Sequence, residues 1–332
     1  VHQGGMQRAG LFSALPGLLR EMGCDPDALL AAAGFAVDGF GPETLAPMGN
    51  FLRLMEGAAA AANCPDLGLR IGLRYELHHH GLIGALMQTA PTLHRALLDL
   101  VTWQPGYSSG AIVYLRPEGE GALLGYGTYD RGPVSSSHLL HLAMGNGIRM
   151  IELLTAGKAT PGDLNLACRP MDGVARPALP LRYNQQQTCI VLDREALRTP
   201  VVTADPERRL RLLLQMEAMP GLRLGTTAAR VRHRLRPLIQ SHQPGMAAVA
   251  AEMGLHPRTL RRRLAAEGER FEDILDDVRL SLAQELLELT DIPTSDIADA
   301  LAYAAPGILS DAFRRWSGCS PSAWRAASRF PQ

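Results

Sequence analysis

The chain has 332 residues, 46% of them hydrophobic, with 33 Lys and Arg balanced by 33 Asp and Glu. It is long enough for two cores, and its zero formal charge excludes a uniformly basic nucleic-acid binder, so any such contact has to be a local patch. Five scattered cysteines without a C-x-x-C pair exclude a zinc ribbon and a disulfide framework, which suits a reducing, cytoplasmic setting. No stretch approaches the roughly 18 apolar residues of a membrane span, and no basic-then-apolar leader is read at the start.

Val1–Gly5 precede Met6 and are set aside. Leu11–Gly23 and Pro26–Ala33 read as short helices, the second stopped by Gly34. Pro47–Ala62 is a third, and Asp66–Arg74 continues as helix despite its glycines. Gly81–Gln88 and Thr92–Trp103 follow, with Thr92 as N-cap. Gly110–Arg116 and Ala122–Tyr129 then form a hairpin across Pro117–Gly121. Ser137–Thr155 is a long amphipathic helix with Leu140, Met144, Ile148, Ile151 and Leu154 on one side. Asp163–Cys168 and Thr188–Leu192 read as strands, and Asp205–Met219 as a helix running to Pro220-Gly221.

Beyond Thr226 only helices are predicted: Thr226–Gln240, Met246–Met253, Pro257–Glu267, Phe271–Leu289, Thr294–Ala302, Gly307–Trp316 and Ser322–Ser328. Two pairs read as helix-turn-helix units joined by the longest helix. In the first, Ala250 and Ala251 allow close helix approach, and Gly254 permits the left-handed turn. Leu255, Leu260 and Leu264 form the buried stripe. Arg258, Arg261 and Arg262 then project outward, with Arg263 one step round. A guanidinium fork suits guanine edges or phosphate. Arg230, Arg232, Arg234 and Arg236 add a basic stretch expected to meet the DNA backbone. The acids cluster elsewhere, at Glu272, Asp273, Asp276 and Asp277. In the second unit Ile297, Ala298, Leu301, Phe313 and Trp316 pack, but the outward positions are Gly307, Ile308 and Asp311. Only Arg314 and Arg315 are placed to contact backbone.

Residues 226–326 resemble the DNA-binding domain of the AraC/XylS family of bacterial transcription regulators. The resemblance rests on Pro257-Arg-Thr-Leu-Arg-Arg-Arg-Leu264, Val278-Arg-Leu280, Ile297-Ala298, Ala312-Phe-Arg-Arg-Trp316 and Gly318-Cys-Ser-Pro-Ser-Ala-Trp-Arg325. It implies two units in successive major-groove segments of double-stranded DNA, with base reading at Arg258, Arg261 and Arg262. The second unit departs from the family: Ala302 stands for the usual glycine, Ala304 and Ala305 for a serine and an acidic residue, and Asp311 for a basic or polar one. Readout is therefore expected mainly from the first unit, leaving the second to position the domain or to touch RNA polymerase.

Residues 11–215 resemble the arabinose-binding-type effector domain of one subgroup. The resemblance is carried by Asp66–Gly72, Gly81–Gly84 with Thr92–Leu97, and Leu192–Asp205. It implies a small-molecule effector, of unspecified identity, and a homodimer. The expected architecture is an α+β effector-sensing and dimerisation domain over residues 6–220. An all-α C-terminal domain with two helix-turn-helix units and a long linking helix covers 226–332. An effector pocket is expected between the hairpin and the Ser137–Thr155 helix, with Tyr107, Tyr126, Tyr129, His138 and His141 as candidate lining.

Gly106-Tyr-Ser-Ser-Gly110 matches G-x-S-x-G, but a nucleophile elbow needs strand before and helix after; here the order is inverted. His78-His-His80 cannot converge on one metal. No catalytic residue, metal or cofactor is read. The sequence supports a ligand-responsive regulator rather than an enzyme. The alternatives are a small-molecule-processing domain tethered to a DNA-binding module, and a regulator without effector.

Overall fold

In the computed structural model the described residues are 5–36, 40–129, 137–171, 173, 180–219 and 225–329. They group into two units. One comprises Val1–Leu166, Pro170–Tyr183 and Thr188–Arg223; the other comprises Leu224–Gln332 with Ala167–Arg169 and Asn184–Gln187. The domain boundary expected after residue 220 falls on 220–224, outside the described residues.

The first unit opens with β1 (Met6–Arg8), α1 (Leu15–Glu21) and α2 (Pro26–Ala32). Asp25 caps α2 by accepting from the Asp27 N–H at 3.0 Å, and Gly34 ends it at φ 86°. β2 (Leu45–Pro47) pairs antiparallel with β1 and leads into α3 (Met48–Ala61). The Phe51 ring of α3 stacks on Phe12 at 4.5 Å, within a core that includes Leu15, Leu19 and Met55.

Next come α4 (Leu67–Gly72), α5 (Gly81–Gln88) and α6 (Leu93–Tyr107). The Thr92 hydroxyl caps α6 by accepting from the Arg95 N–H at 3.3 Å. α6 runs past Trp103, because Pro105 sits in the final turn where losing one N–H disrupts little. Strand β3 (Ala111–Glu118) is one residue longer than expected and β4 (Gly121–Thr128) starts one residue earlier, so only Gly119 and Glu120 join them. Pro117 is tolerated because β3 is an edge strand, and Gly119 turns at φ 56°.

α7 (Ser137–Thr155) packs against α4. A Cβ on Gly72 would fall 2.5 Å from the Leu142 carbonyl and 2.8 Å from the Gly145 Cα. Glycine here lets two helix backbones touch, so tertiary packing overrides its poor helix propensity.

β5 (Leu164–Asn165), β6 (Leu181–Arg182) and β7 (Thr188–Leu192) complete a sheet of order β3-β4-β7-β5-β6, antiparallel except for β5–β6. β5 is shorter than the expected Asp163–Cys168. α8 (Arg194–Arg198) and α9 (Pro206–Ala218) end the unit, with Asp205 capping α9.

The second unit is helical: α10 (Thr227–Gln240), α11 (Met246–Glu252), α12 (Pro257–Ala266), α13 (Phe271–Leu289), α14 (Thr294–Ala300), α15 (Pro306–Ser317) and α16 (Pro321–Arg329). Val231, Leu235, Val249, Leu260, Ile274 and Phe313 are among its buried centre. Each such side chain contributes about 1.5–3 kcal/mol by leaving water. The Glu267 carboxylate accepts from the N–H groups of Thr227 (2.7 Å) and Ala228 (2.9 Å), completing the cap that Thr226 begins on α10. This α+β unit followed by an all-α unit is the expected fold class. Among the described residues no helix is long and apolar enough to cross a membrane.

Candidate nucleic-acid interface and ligand cavity

α11 and α12 enclose a tight turn. Gly254 adopts φ 64°, and the Leu255 N–H returns to the Ala250 carbonyl at 2.8 Å. His256 caps α12 by accepting the Arg258 N–H on Nδ1 at 3.2 Å. Leu260 and Leu264 are buried. At about 100° per residue, Arg258 and Arg262 lie opposite the buried leucines, with Arg261 and Arg263 on the two flanks. All four are exposed, and none has an ion pair among the described residues. The face is therefore a cluster of uncompensated guanidinium groups.

α14 and α15 repeat the construction. Both α12 and α15 begin with proline, and Leu309 and Phe313 are buried as Leu260 and Leu264 are. In that register Arg258, Arg261 and Arg262 correspond to Gly307, Ser310 and Asp311. Ala305, at the N-cap of α15, provides no side-chain bond. Ile308 is 51% exposed. Arg314 lies 3.8 Å from Asp311, and Arg315 lies 3.1 Å from Asp276. Both second-unit arginines thus already have an acidic neighbour.

The basic stretch on α10 requires a correction. Arg236 is 2% exposed and locked to Glu285, so it faces the core and cannot reach a phosphate. Arg232 lies 3.4 Å from Asp277 and Arg234 lies 3.9 Å from Glu252. Positions 231, 235, 238 and 239 form the core stripe; Arg236 lies on its flank, about 60° beyond Ile239, and its burial goes with its pairing to Glu285 on α13.

In the first unit a small cleft, with a cavity volume of about 60 Å³, lies between β3, β4 and β7 on one side and α7 on the other. Its walls are mostly Leu, Met, Val and Ile side chains, with Gln7, His80, Tyr126 and Asn146 as the polar exceptions. Of the five expected lining residues, Tyr126 is on this wall. Tyr107 is buried and donates its hydroxyl to the His79 carbonyl at 2.8 Å. His141 is buried on α7, with Nδ1 2.8 Å from the Ser137 carbonyl and Nε2 3.2 Å from the Tyr183 hydroxyl. His138 is buried on the same helix, and burial pushes it down to about 4. Tyr129 follows β4 and is half-buried.

Profiles of known families match both units. The arabinose-binding N-terminal domain of AraC transcription regulators matches residues 23–201, and a helix-turn-helix domain matches residues 249–327. The chain belongs to the AraC family. It is a DNA-binding transcriptional regulator with an N-terminal ligand-binding domain.

The HTH-type transcriptional regulator VirS of Mycobacterium tuberculosis is 27% identical over 330 residues, covering 97% of each chain. The ornithine utilization regulator of Pseudomonas aeruginosa is 27% identical, covering 95% of this chain and 94% of its own. The crystal structure of the transcriptional regulator CdpR from Pseudomonas aeruginosa aligns with a TM-score of 0.43 at 22% identity, covering 91% of this chain and 96% of that one.

The other motifs fall outside this AraC-type chemistry. Ser108 sits between α6 and β3; its buried hydroxyl has no hydrogen-bond partner, so no base activates it. His79 is engaged with Glu76 in a capping box, and no metal-binding group of three or more His, Cys, Asp or Glu exists among the described residues. Two functional groups lay outside the sequence reading. One is the His256 cap, since histidine is an unusual capping residue. The other is Asn146, a polar residue inside the apolar face of α7 that the flanking Gly145 and Gly147 could have flagged.

Proposed function

We propose that this AraC-family regulator is a cytoplasmic, effector-responsive homodimer that reads double-stranded DNA mainly through its first helix-turn-helix. Arg258, Arg261 and Arg262 take base edges in the major groove, and Arg263 takes phosphate. Arg314 and Arg315 hold the second unit to the backbone, leaving that unit free to meet RNA polymerase. The N-terminal unit binds the effector and pairs the two copies. The carrying observation is the contrast between equivalent helix faces. α12 presents three exposed arginines without ion pairs, whereas α15 presents glycine, serine and aspartate.

The test is fluorescence anisotropy on a duplex selected from a random pool by the full chain. Arg261→Ala is expected to weaken the selected duplex about tenfold or more and to relax preference at one or two base positions, since a bidentate base contact is worth about 1–3 kcal/mol. Ser310→Ala is expected to change affinity less than twofold. Equal losses from the two substitutions would remove the asymmetry.

A further inference from the structure

The ligand cleft carries an indication of what it binds. Asn146 on α7 lines it, is 4% exposed, and has neither its amide oxygen nor its amide nitrogen hydrogen-bonded. A buried unpartnered amide is costly, and one that lines a cleft offers a donor and an acceptor to whatever enters it. Among the described lining residues there is no Arg, Lys, Asp or Glu. His80, also on the wall, accepts or donates at Nδ1 to the Tyr75 hydroxyl at 2.6 Å. Burial pushes His80 down to about 3, so it supplies no charge at neutral pH. Gln7, whose amide donates to the Arg8 carbonyl at 2.7 Å, and Tyr126 are the other polar side chains on the wall. The rest is hydrocarbon from both faces, for example Val113 and Leu124 opposite Leu139 and Met150.

We infer that the cleft takes an uncharged, largely apolar small molecule with one end that both donates and accepts a hydrogen bond, and that Asn146 reads that end. A sugar would bury several hydroxyls against hydrocarbon, and an amino acid would bury an ammonium and a carboxylate without counter-charge; both are strongly disfavoured. The inference rests on the reading of this chain as effector-responsive and narrows the effector to a chemical class. It also assigns Asn146 as the residue that separates that class from its acids. A carboxylate in place of the neutral end would meet no cation there, and apolar length would set affinity through the hydrocarbon wall.

The test is isothermal titration of the full chain with five probes: decanamide, hexanamide, decanoate, L-arabinose and L-ornithine. Decanamide is expected to bind at least tenfold more tightly than decanoate, and hexanamide at least tenfold more weakly than decanamide. Asn146→Leu is expected to weaken decanamide at least tenfold while its thermal midpoint stays at or above wild type, which shows that the fold is intact. Ala143→Phe, which fills the cleft from α7, is a second route and is expected to abolish binding. Undiminished decanamide binding in Asn146→Leu would overturn the role of that residue. Tighter binding of decanoate, arabinose or ornithine would overturn the ligand class and leave an effector-responsive regulator standing. No binding by any probe would overturn the ligand class as well. Ligand-free duplex affinity, and its loss in Arg261→Ala, then decides separately whether the DNA-reading proposal survives.

Discussion

The guanidinium of Arg236 on α10 grips the carboxylate of Glu285 on α13 through two bonds of 2.6 and 3.0 Å, with both side chains 2% exposed. This pair ties the first helix of the DNA-binding unit to its central helix. Removing one partner leaves a buried charge unpaired, so Arg236→Ala is expected to cost about 3–5 kcal/mol. Replacing both, as Arg236→Met with Glu285→Leu, is expected to be near neutral or stabilising. Urea unfolding of the three proteins checks this. The double variant should also keep duplex affinity and its salt dependence, because Arg236 is packed inward.

The two turns place different residues at their left-handed position. Gly254 takes φ 64° in the first helix-turn-helix, and Ala302 takes φ 56° in the second. The same N–H returns close both turns, 3.0 Å from Gly254 to Ala251 and 2.8 Å from Ala302 to Asp299. Alanine in the left-handed region is strained by roughly 1–2 kcal/mol, partly offset by glycine's larger unfolded-state entropy. Ala302→Gly is therefore expected to stabilise by about 0.5–1 kcal/mol, and Gly254→Ala to destabilise by about 1 kcal/mol. Chemical denaturation reads both. The strain at Ala302 is offset by Arg279, which donates to the Leu301 and Ala302 carbonyls and stacks 4.4 Å over the Tyr303 ring.

The helical unit was legible helix by helix because each helix carries its own period and stop; Phe271–Leu289 coincides with its expected span. The mixed unit was less so. β5 and β6 contribute two residues each and take their identity from pairing partners distant in sequence, which no local pattern encodes. At the interface, outward arginines on α12 follow from periodicity. Arg236 lies on the flank of the α10 stripe, so periodicity did not mark it as inward; its burial depends on Glu285, 49 residues on in sequence. The cleft wall was legible only as a location. Which side chains line it depends on how α7 rotates against the sheet, which no local pattern encodes.

Acid should loosen both units. Burial drives His80 down to about 3 and His233 down to about 4. In the unfolded chain each protonates near the ordinary value of about 6.5. Between those limits the unfolded state holds more protons, so stability falls as pH drops from about 6.5 to about 4 and is unaffected by these groups above pH 7. One such histidine accounts for about 2 kcal/mol between pH 6.5 and 5. Urea midpoints at pH 7 and pH 5 should differ accordingly. His233→Gln should flatten the dependence of the DNA-binding unit, and an unchanged slope would mean that His233 protonates freely in the fold.

Asp311 is expected to weaken the second unit's hold on DNA. Its side chain is 83% exposed on the α15 face, and it sits 3.8 Å from Arg314. An exposed pair of this kind adds at most about 1 kcal/mol of stability, so Asp311→Asn should leave the thermal midpoint nearly unchanged. It removes a negative charge from a surface proposed to approach phosphates and releases Arg314 to neutralise one. Duplex affinity at low salt is therefore expected to rise severalfold, and the slope of log affinity against log salt to steepen by up to about 1. Arg314→Ala in the same background should reverse both changes. Anisotropy titrations across a salt series measure them. An affinity that stays flat or falls in Asp311→Asn would show that α15 does not approach the backbone, leaving α12 as the DNA contact of this proposal.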